Sequence, residues 1–373
     1  MGTLKKKLYE AYEKCSHLQK TFIMGLLFFI VHLLLEWPIW EHADYDAEFL
    51  CQWDCQWYKS IILDGYMSEP PCSDGMANFA FFPLLPLIAK GIYSIYRYFS
   101  PEFYLFFISE YVFFLDIFVF MFFVKAYFKD IPEYIAAATL TFMPFSVHAM
   151  AGYTESTFLL LSMMTILSFG QKKYLQSGIF GAFLTAARPV GALIIPALAL
   201  PQTFKFFKAP LKDKTNLALC FMLMPLGLFL FMYYLEYKIG DALAFAHVQI
   251  AWGSDECFFK PFCVLLNGLK MPLSHYHFVG AVVACFSLFF CYFLYKRKKY
   301  ELTLFLLFST LCPMMIKMMS MMRFLFWNPV FLLMVCYFLN KYKRHLWIIL
   351  PIVAAYMMQI YFYFLSGETL WPV

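Results

Sequence analysis

Long apolar runs alternate with short polar breaks along most of this chain, and many runs reach the ~20 residues that carry a helix across a bilayer. Clusters of basic residues at Lys5 to Lys20, Lys125 and Lys129, Lys172-Lys173, Lys205 to Lys214, Lys296 to Lys299 and Lys341 to Arg344 punctuate the pattern. Basic clusters mark cytoplasmic loops. Threading the runs between them predicts helices over 21–40, 103–125, 132–150, 154–170, 174–187, 190–204, 216–238, 276–295, 301–316, 324–340 and 346–365. The expected fold class is therefore an all-α polytopic membrane protein of about eleven spans, with a cytoplasmic N-terminus. Residues 1–373 form a single membrane domain in this reading. The threading leaves 20 of the 29 Lys and Arg residues on the cytoplasmic side.

Two large loops then face outward, at about 41–102 and 239–275. The first contains an apolar part near 79–98 that would lie on or dip into the membrane, while its stretch 41–77 carries eight acidic residues and one lysine. The pair 174–187 and 190–204 either crosses as two short helices or forms a re-entrant pair, broken at Ala187-Arg188-Pro189. Proline lacks a helix donor and biases the residue before it away from helix.

Composition agrees. The chain is 62% apolar and 22% aromatic with 14% charged residues, against roughly 25% charged in soluble domains. The net charge of +5 reflects the placement of basic residues by topology and gives no reason to expect a nucleic-acid partner. The apolar run from Phe22 continues to about Trp40 without a small-residue cleavage site, which predicts a retained signal anchor. Of eleven cysteines, Cys51, Cys55, Cys72, Cys257 and Cys263 fall in the outer loops. Cys257–Cys263 or a link to Cys72 is expected in an oxidising compartment, and reduced thiols throughout are the alternative.

The chemistry concentrates at the outer edge. Gln52-Trp53-Asp54-Cys55-Gln56-Trp57-Tyr58 places a carboxylate among aromatics just beyond the first apolar helix. If that segment is helical, the neighbours of Asp54 are Leu50, Cys51, Trp57 and Tyr58, and a partly desolvated carboxylate there suits a general base. The same pattern fits an interfacial helix whose Asp faces water and whose Trp residues anchor in headgroups. His148, Tyr153 and Glu155 gather at the next outer turn, Arg188 at the outer break, and Arg323 at the outer start of the tenth span. Ionisable residues at membrane helices mark sites, and the arginine fork matches phosphate oxygens. A structural ion pair such as Glu155 with Arg188 is the competing explanation. Gln249 lies in the second outer loop. Asp44-Tyr45-Asp46 has the form of a DxD metal motif but falls on the side away from cytosolic nucleotides. His275-Tyr276-His277 is expected to cap a helix at the interface and not to hold a metal.

Gln52-Trp53-Asp54 with Tyr58 and Gly65-Tyr66, then Asn78-Phe79-Ala80-Phe81-Phe82-Pro83 with Pro86, resembles the PIG-V family, the second mannosyltransferase of GPI-anchor assembly and its bacterial relatives. The resemblance continues through Ala151-Gly152-Tyr153-Thr154-Glu155-Ser156-Thr157-Phe158, Ala187-Arg188-Pro189-Val190-Gly191 and Arg323-Phe324-Leu325. It implies a GT-C fold and an inverting, most simply mannosyl, transferase on the lumenal or periplasmic face. It also implies a polyprenyl- or dolichyl-phosphate sugar donor and a glycolipid or glycan acceptor. Asp54 matches the family's base, with Arg188 and Arg323 at the donor phosphate. Trp53, Tyr58, His148, Tyr153, Glu155 and Gln249 are then the substrate-binding candidates. No metal is required, since phosphate is a competent leaving group. The family often has Arg-Ser-Asn-Gly where this chain has Arg188-Pro189-Val190-Gly191. With no long cytosolic insertions, the expected location is a bacterial inner membrane, with the endoplasmic reticulum as the alternative. A lipid-linked sugar transporter or flippase, or a non-catalytic subunit of the same fold, are the rival readings. The transporter reading requires ionisable residues near the bilayer midplane and internal repeats.

Overall fold

A computed structural model describes residues 15–68, 75–203, 210–252, 260–273, 275–315, 318 and 320–366, and the described residues are helical with no strand. The first long helix, α1 (His17–His42), starts at a reciprocal cap. The Ser16 hydroxyl accepts from the Gln19 amide, and the Gln19 side chain accepts from the Ser16 amide, so two otherwise orphan donors are satisfied. Three short elements follow: α2 (Ala47–Leu50), α3 (Asp54–Leu63) and α4 (Leu84–Ile95). On α4, Leu85, Pro86 and Ala89 are buried while Leu87, Ile88 and Ile95 are exposed, consistent with the expected surface-lying segment.

α5 (Pro101–Tyr127), capped by Ser100, is the central pillar. It packs against α1, α3, α4, α6 (Glu133–Thr141), α7 (Val147–Met150) and α8 (Glu155–Gly170). α9 (Tyr174–Ala187) packs on α8 and on the pair α11 (Leu211–Leu223) and α12 (Leu226–Ile239), while α10 (Ile194–Ala199) turns back between them in the chain. The second half adds α13 (Ala244–His247), α14 (Lys260–Leu269), α15 (Tyr276–Lys296), α16 (Tyr300–Met314), α17 (Met321–Phe326), α18 (Pro329–Lys341) and α19 (Leu346–Ser366).

Helix occupies part of every stretch that the apolar pattern marks. Among the described residues, five segments are long and apolar enough to cross a membrane: His17–His42, Pro101–Tyr127, Leu211–Ile239, Tyr276–Lys296 and Lys343–Leu365. That is compatible with a multi-pass membrane protein.

Four expected spans are broken, and in one of them, 216–238, α11 and α12 divide at Met224-Pro225. The stretch 132–150 ends as helix at Thr141, two positions before Met143-Pro144, because a proline ring cannot follow an intact helical turn without loss of a donor. The stretch 190–204 is a 3-10 turn at Pro189–Leu193, then α10, then a second 3-10 turn at Leu200–Gln202. The tenth stretch divides into α17 and α18 at Trp327-Asn328, where Asn328 accepts from the amides of Val330 and Phe331 to restart the helix. His275 caps α15 by accepting from the His277 amide, as its sequence suggested.

The apolar interior forms two clusters, and α5 runs through both. Tyr104, Leu105 and Ile108 join Ile39, Tyr58, Phe79 and Tyr153 in one. Phe113, Ile117 and Phe120 join Leu140, Ile166, Leu184 and Phe305 in the other. The candidate site lies in the first.

Candidate active site

Asp54 is the first residue of α3, and the chain around it is held from several directions. Trp53 before it adopts φ +51° and is 44% exposed; such a backbone is costly for an aromatic residue and persists only where its surroundings impose it. The Tyr153 hydroxyl supplies part of that restraint. It donates to the Gln52 carbonyl at 3.1 Å and accepts from the Asp54 amide at 3.3 Å, so it clamps the turn on both sides of Trp53. A disulfide joins Cys51 to Cys55 across the same turn, and the Gln56 side chain donates to the Cys51 carbonyl at 2.5 Å. One turn further on, Lys59 is paired with Glu48 at 2.9 Å and with Glu102, tying α3 to the start of α5.

The stretch around Asn78 proves to be a buckle. Asn78 is buried, donates to the Gly65 carbonyl at 3.0 Å and to the Ser60 hydroxyl at 3.3 Å, and accepts from the Met67 amide at 3.1 Å. Tyr66 donates to the Phe81 carbonyl at 2.8 Å. Gly65 sits at φ +80°, a conformation open to glycine and poor for residues with a Cβ. These bonds fix Phe81 and Phe82 beside α3.

Behind Asp54 lies a group of four charges. Arg323, in the middle of α17, donates from Nη2 to Asp54 Oδ2 at 2.5 Å and from Nε to Glu155 Oε1. Arg188 donates from Nη1 to the same Glu155 oxygen. Glu155 is fully buried at the start of α8, so one carboxylate bridges two arginines. The Arg323 guanidinium also lies over the Tyr153 ring, 4.7 Å from its centroid, and Arg188 over Phe324 at 5.2 Å. Two arginines and two carboxylates sum to zero, which is what a poorly solvated site demands. Burial, with the Asp54 carboxylate adding to it, pushes the Tyr58 phenol well above its ordinary range. Burial does the same to Tyr153, so both remain protonated hydrogen-bonding groups.

Asp54, Tyr58, Arg188, Gln249 and Arg323 all line one cavity of about 430 Å³, closed on other sides by Phe81, Phe82, Pro189 and Phe324. Next to it is an apolar cavity of about 830 Å³ that includes Ile61, Tyr66, Pro83, Phe183 and Phe231. α3 faces both, with Tyr58 on the first and Ile61 one turn later on the second.

Five of the nine site residues singled out from the sequence therefore converge. The other four take different places. Tyr153, Glu155 and His148 are fully buried and off the cavity wall; Glu155 holds the two arginines and Tyr153 holds the Trp53 turn. His148 Nδ1 donates to the Phe145 carbonyl at 2.8 Å, and the Trp327 indole donates to the same carbonyl at 3.1 Å. Trp53 points away as the exposed residue of the strained turn. Asp54 itself is not enclosed by apolar neighbours: its helix starts there, its side chain is 26% exposed, and its nearest partner is an arginine. The Arg188 break is as expected, with α9 ending at Ala187 and Arg188 extended at φ −155°.

The disulfide seen, Cys51–Cys55, is one that the sequence reading did not pair. Cys263 is also disulfide-bonded, whereas Cys72 and Cys257 lie outside the described residues. The bonded cysteines among the described residues belong to the set assigned to the outer loops; Cys220, Cys285, Cys291, Cys312 and Cys336 are free. In Asp44-Tyr45-Asp46, Asp46 is occupied in capping α2 through the Glu48 amide.

One expectation fails clearly. The polar residues do not all gather at one edge: His32 and Glu36 on α1, and Glu110 and Asp116 on α5, are buried inside two of the membrane-length helices. Each is a single polar residue in an apolar run, and a search for compact motifs passes over them. The i, i+4 spacing of His32 and Glu36 was the available signal. Comparison with protein-family models, with curated proteins and with solved structures finds no match for this chain.

Proposed function

We propose that the protein is an inverting membrane glycosyltransferase of the PIG-V, GT-C kind. It would move a hexose, mannose in the simplest case, from a polyprenyl-phosphate donor to an acceptor hydroxyl. The observation that carries the reading is the convergence of Asp54, Arg188 and Arg323 on one cavity that adjoins an apolar one. A lipid-linked phosphate has those two parts, a charged head and a greasy tail.

In this reading Asp54 takes the proton from the acceptor hydroxyl. The acceptor oxygen attacks the anomeric carbon, the bond to the phosphate oxygen breaks, and the lipid phosphate leaves with the electron pair. Oδ2 is engaged by Arg323 and among the described residues Oδ1 accepts no hydrogen bond, which leaves one oxygen for the acceptor. Arg323 has two of its donor positions committed to carboxylates. Arg188 commits one, and stacks on Phe324 at the cavity wall. Arg188 is thus the better first contact for the leaving phosphate, with Arg323 holding the base. Preorganised donors of this kind are usually the largest single contribution to such catalysis.

The test is incubation of the purified protein with polyprenyl-phosphate hexoses and an acceptor glycolipid. Transfer or donor hydrolysis with inversion at the anomeric carbon supports the reading. Neither, across mannose and glucose donors, overturns it. A second reading has its own observation: the buried His32, Glu36, Glu110 and Asp116 favour a lipid-sugar transporter, since such residues inside spans serve translocation paths. Movement of a fluorescent or isotopic lipid-sugar between leaflets without chemical change would select it.

A further inference from the structure

We propose that His32, Glu36 and Glu110 bind a divalent transition-metal ion that joins α1 to α5 in the interior of the bundle, independently of the catalytic reading. His32 Nε2 lies 3.0 Å from Glu36 Oε1 and 3.6 Å from Glu110 Oε2. One ligand atom from each residue falls within 4.8 Å of the others. The i, i+4 spacing puts His32 and Glu36 on one face of α1, and Glu110 reaches them from α5.

The surroundings make the cluster hard to explain without an occupant. On α5, Glu110 stands between Ile108 of one apolar cluster and Phe113 of the other. The His32 ring packs on Phe113 at 4.4 Å and near Phe29 at 6.1 Å. Neither oxygen of Glu110 and neither nitrogen of His32 has an aligned hydrogen bond. His32 Nε2 thus faces one oxygen of each carboxylate at ion-pair distance, while the other oxygens of Glu36 and Glu110 have no hydrogen-bond partner among the described residues. A buried polar group without a partner costs several kcal/mol, and buried carboxylates are kept where they pair or coordinate a metal.

Charge points the same way. As metal ligands, two carboxylates and a neutral imidazole would carry −2, which a divalent ion offsets in full, whereas a protonated His32 alone offsets only one of the two carboxylates it faces. The spacing is suitable as well. Ligands about 2.1 Å from a common ion are separated by roughly 2.9 Å in octahedral and 3.4 Å in tetrahedral arrangements, close to the separations seen. One imidazole with two carboxylates suits zinc, manganese or iron, whereas calcium requires six to eight oxygens. Tyr361 on α19 is electrostatically coupled to Glu36 and Glu110, and its hydroxyl is 2.7 Å from that of Ser146. It supplies the outer support that metal-bound carboxylates need. The ion would be structural, a staple between helices that otherwise meet through side-chain packing alone.

Purification of the full-length protein in detergent with Zn2+, Mn2+ or Fe2+ present, followed by gel filtration and elemental analysis, tests this. About one ion per chain is expected in the wild type, with Co2+ substitution giving visible absorption bands. Glu110→Gln and Glu36→Gln are expected to lose both. A wild type that retains less than about a tenth of an ion per chain for all three metals overturns the proposal, as does equal retention by wild type and both variants. If the variants fail to fold, the wild type decides alone: its unfolding temperature should rise by several degrees with Zn2+ but not with Mg2+. No rise, together with no Co2+ band, also overturns it.

Discussion

Asp54 and Arg323 stand 269 positions apart in sequence, yet their side chains meet at 2.5 Å. The pair draws the turn at the start of α3 onto α17 and, through Glu155, onto Arg188. Every prediction about activity depends on what that network does with its charge.

Asp54→Asn keeps the shape and hydrogen-bonding reach but removes the base. Transfer should fall by roughly 10²–10⁴-fold with folding and donor affinity nearly unchanged. Turnover above about a tenth of wild type would remove Asp54 from the role of base.

Glu155→Gln acts on stability. It leaves Arg188 without its charged partner and Arg323 with only Asp54, in a buried setting. Breaking one side of a buried ion pair costs roughly 3–5 kcal/mol. Thermal unfolding in detergent should show a midpoint many degrees lower, and an unchanged midpoint would mean that the arginines find other partners.

The two arginines should separate when each is changed to lysine. A lysine keeps the charge but not the planar fork. Arg323→Lys cannot serve Asp54 and Glu155 together, so it should reduce stability and turnover. Arg188→Lys should chiefly weaken affinity for the lipid-phosphate sugar, read by titration. Equal loss of affinity in both variants would return Arg323 to direct phosphate contact.

Cys51 and Cys55 should resist alkylation in the native and the denatured protein until a reductant is added, and then react. The double change to serine should lower turnover more than it lowers the unfolding temperature, because a link across four positions closes a small loop while it fixes the Trp53 turn. Free thiols at both positions before reduction would refute the bond.

Membrane orientation is open to direct measurement. In a background without reactive native cysteines, an impermeant thiol probe should label a cysteine placed at Tyr98 and spare one placed at Lys212. The opposite pattern would overturn the assignment of the site to the outer side.

The long helices were legible because apolar runs such as 103–125 have no competing signal, and α5 exceeds that expectation by only two residues at each end. The breaks at Pro144, Pro189 and Asn328 were less so. Proline announces a break at 189, but hydropathy alone continues straight through Met143-Pro144. For the site, Asp54, Arg188 and Arg323 stood out as charges beside apolar helices. What could not be read was the division of labour. Whether Tyr153 faces substrate or clamps Trp53 depends on a hydrogen bond to a backbone 99 positions away. The buckle of Asn78 on Gly65 spans only 13 positions but follows no helical spacing, and the isolated Glu110 had no local pattern to mark it.

The distance in sequence between Asp54 and Arg323 also sets an order of assembly. A ribosome adding about 5–20 residues per second completes Asp54 tens of seconds before Arg323 emerges. By the later part of that interval Asp54, Glu155 and Arg188 have all been synthesised, and the cation that joins them does not yet exist. The nascent chain thus waits with an unfinished charge group at its surface. Any lesion that delays insertion of α17 extends that wait, and exposes the early helices to quality control before the late ones can close over them.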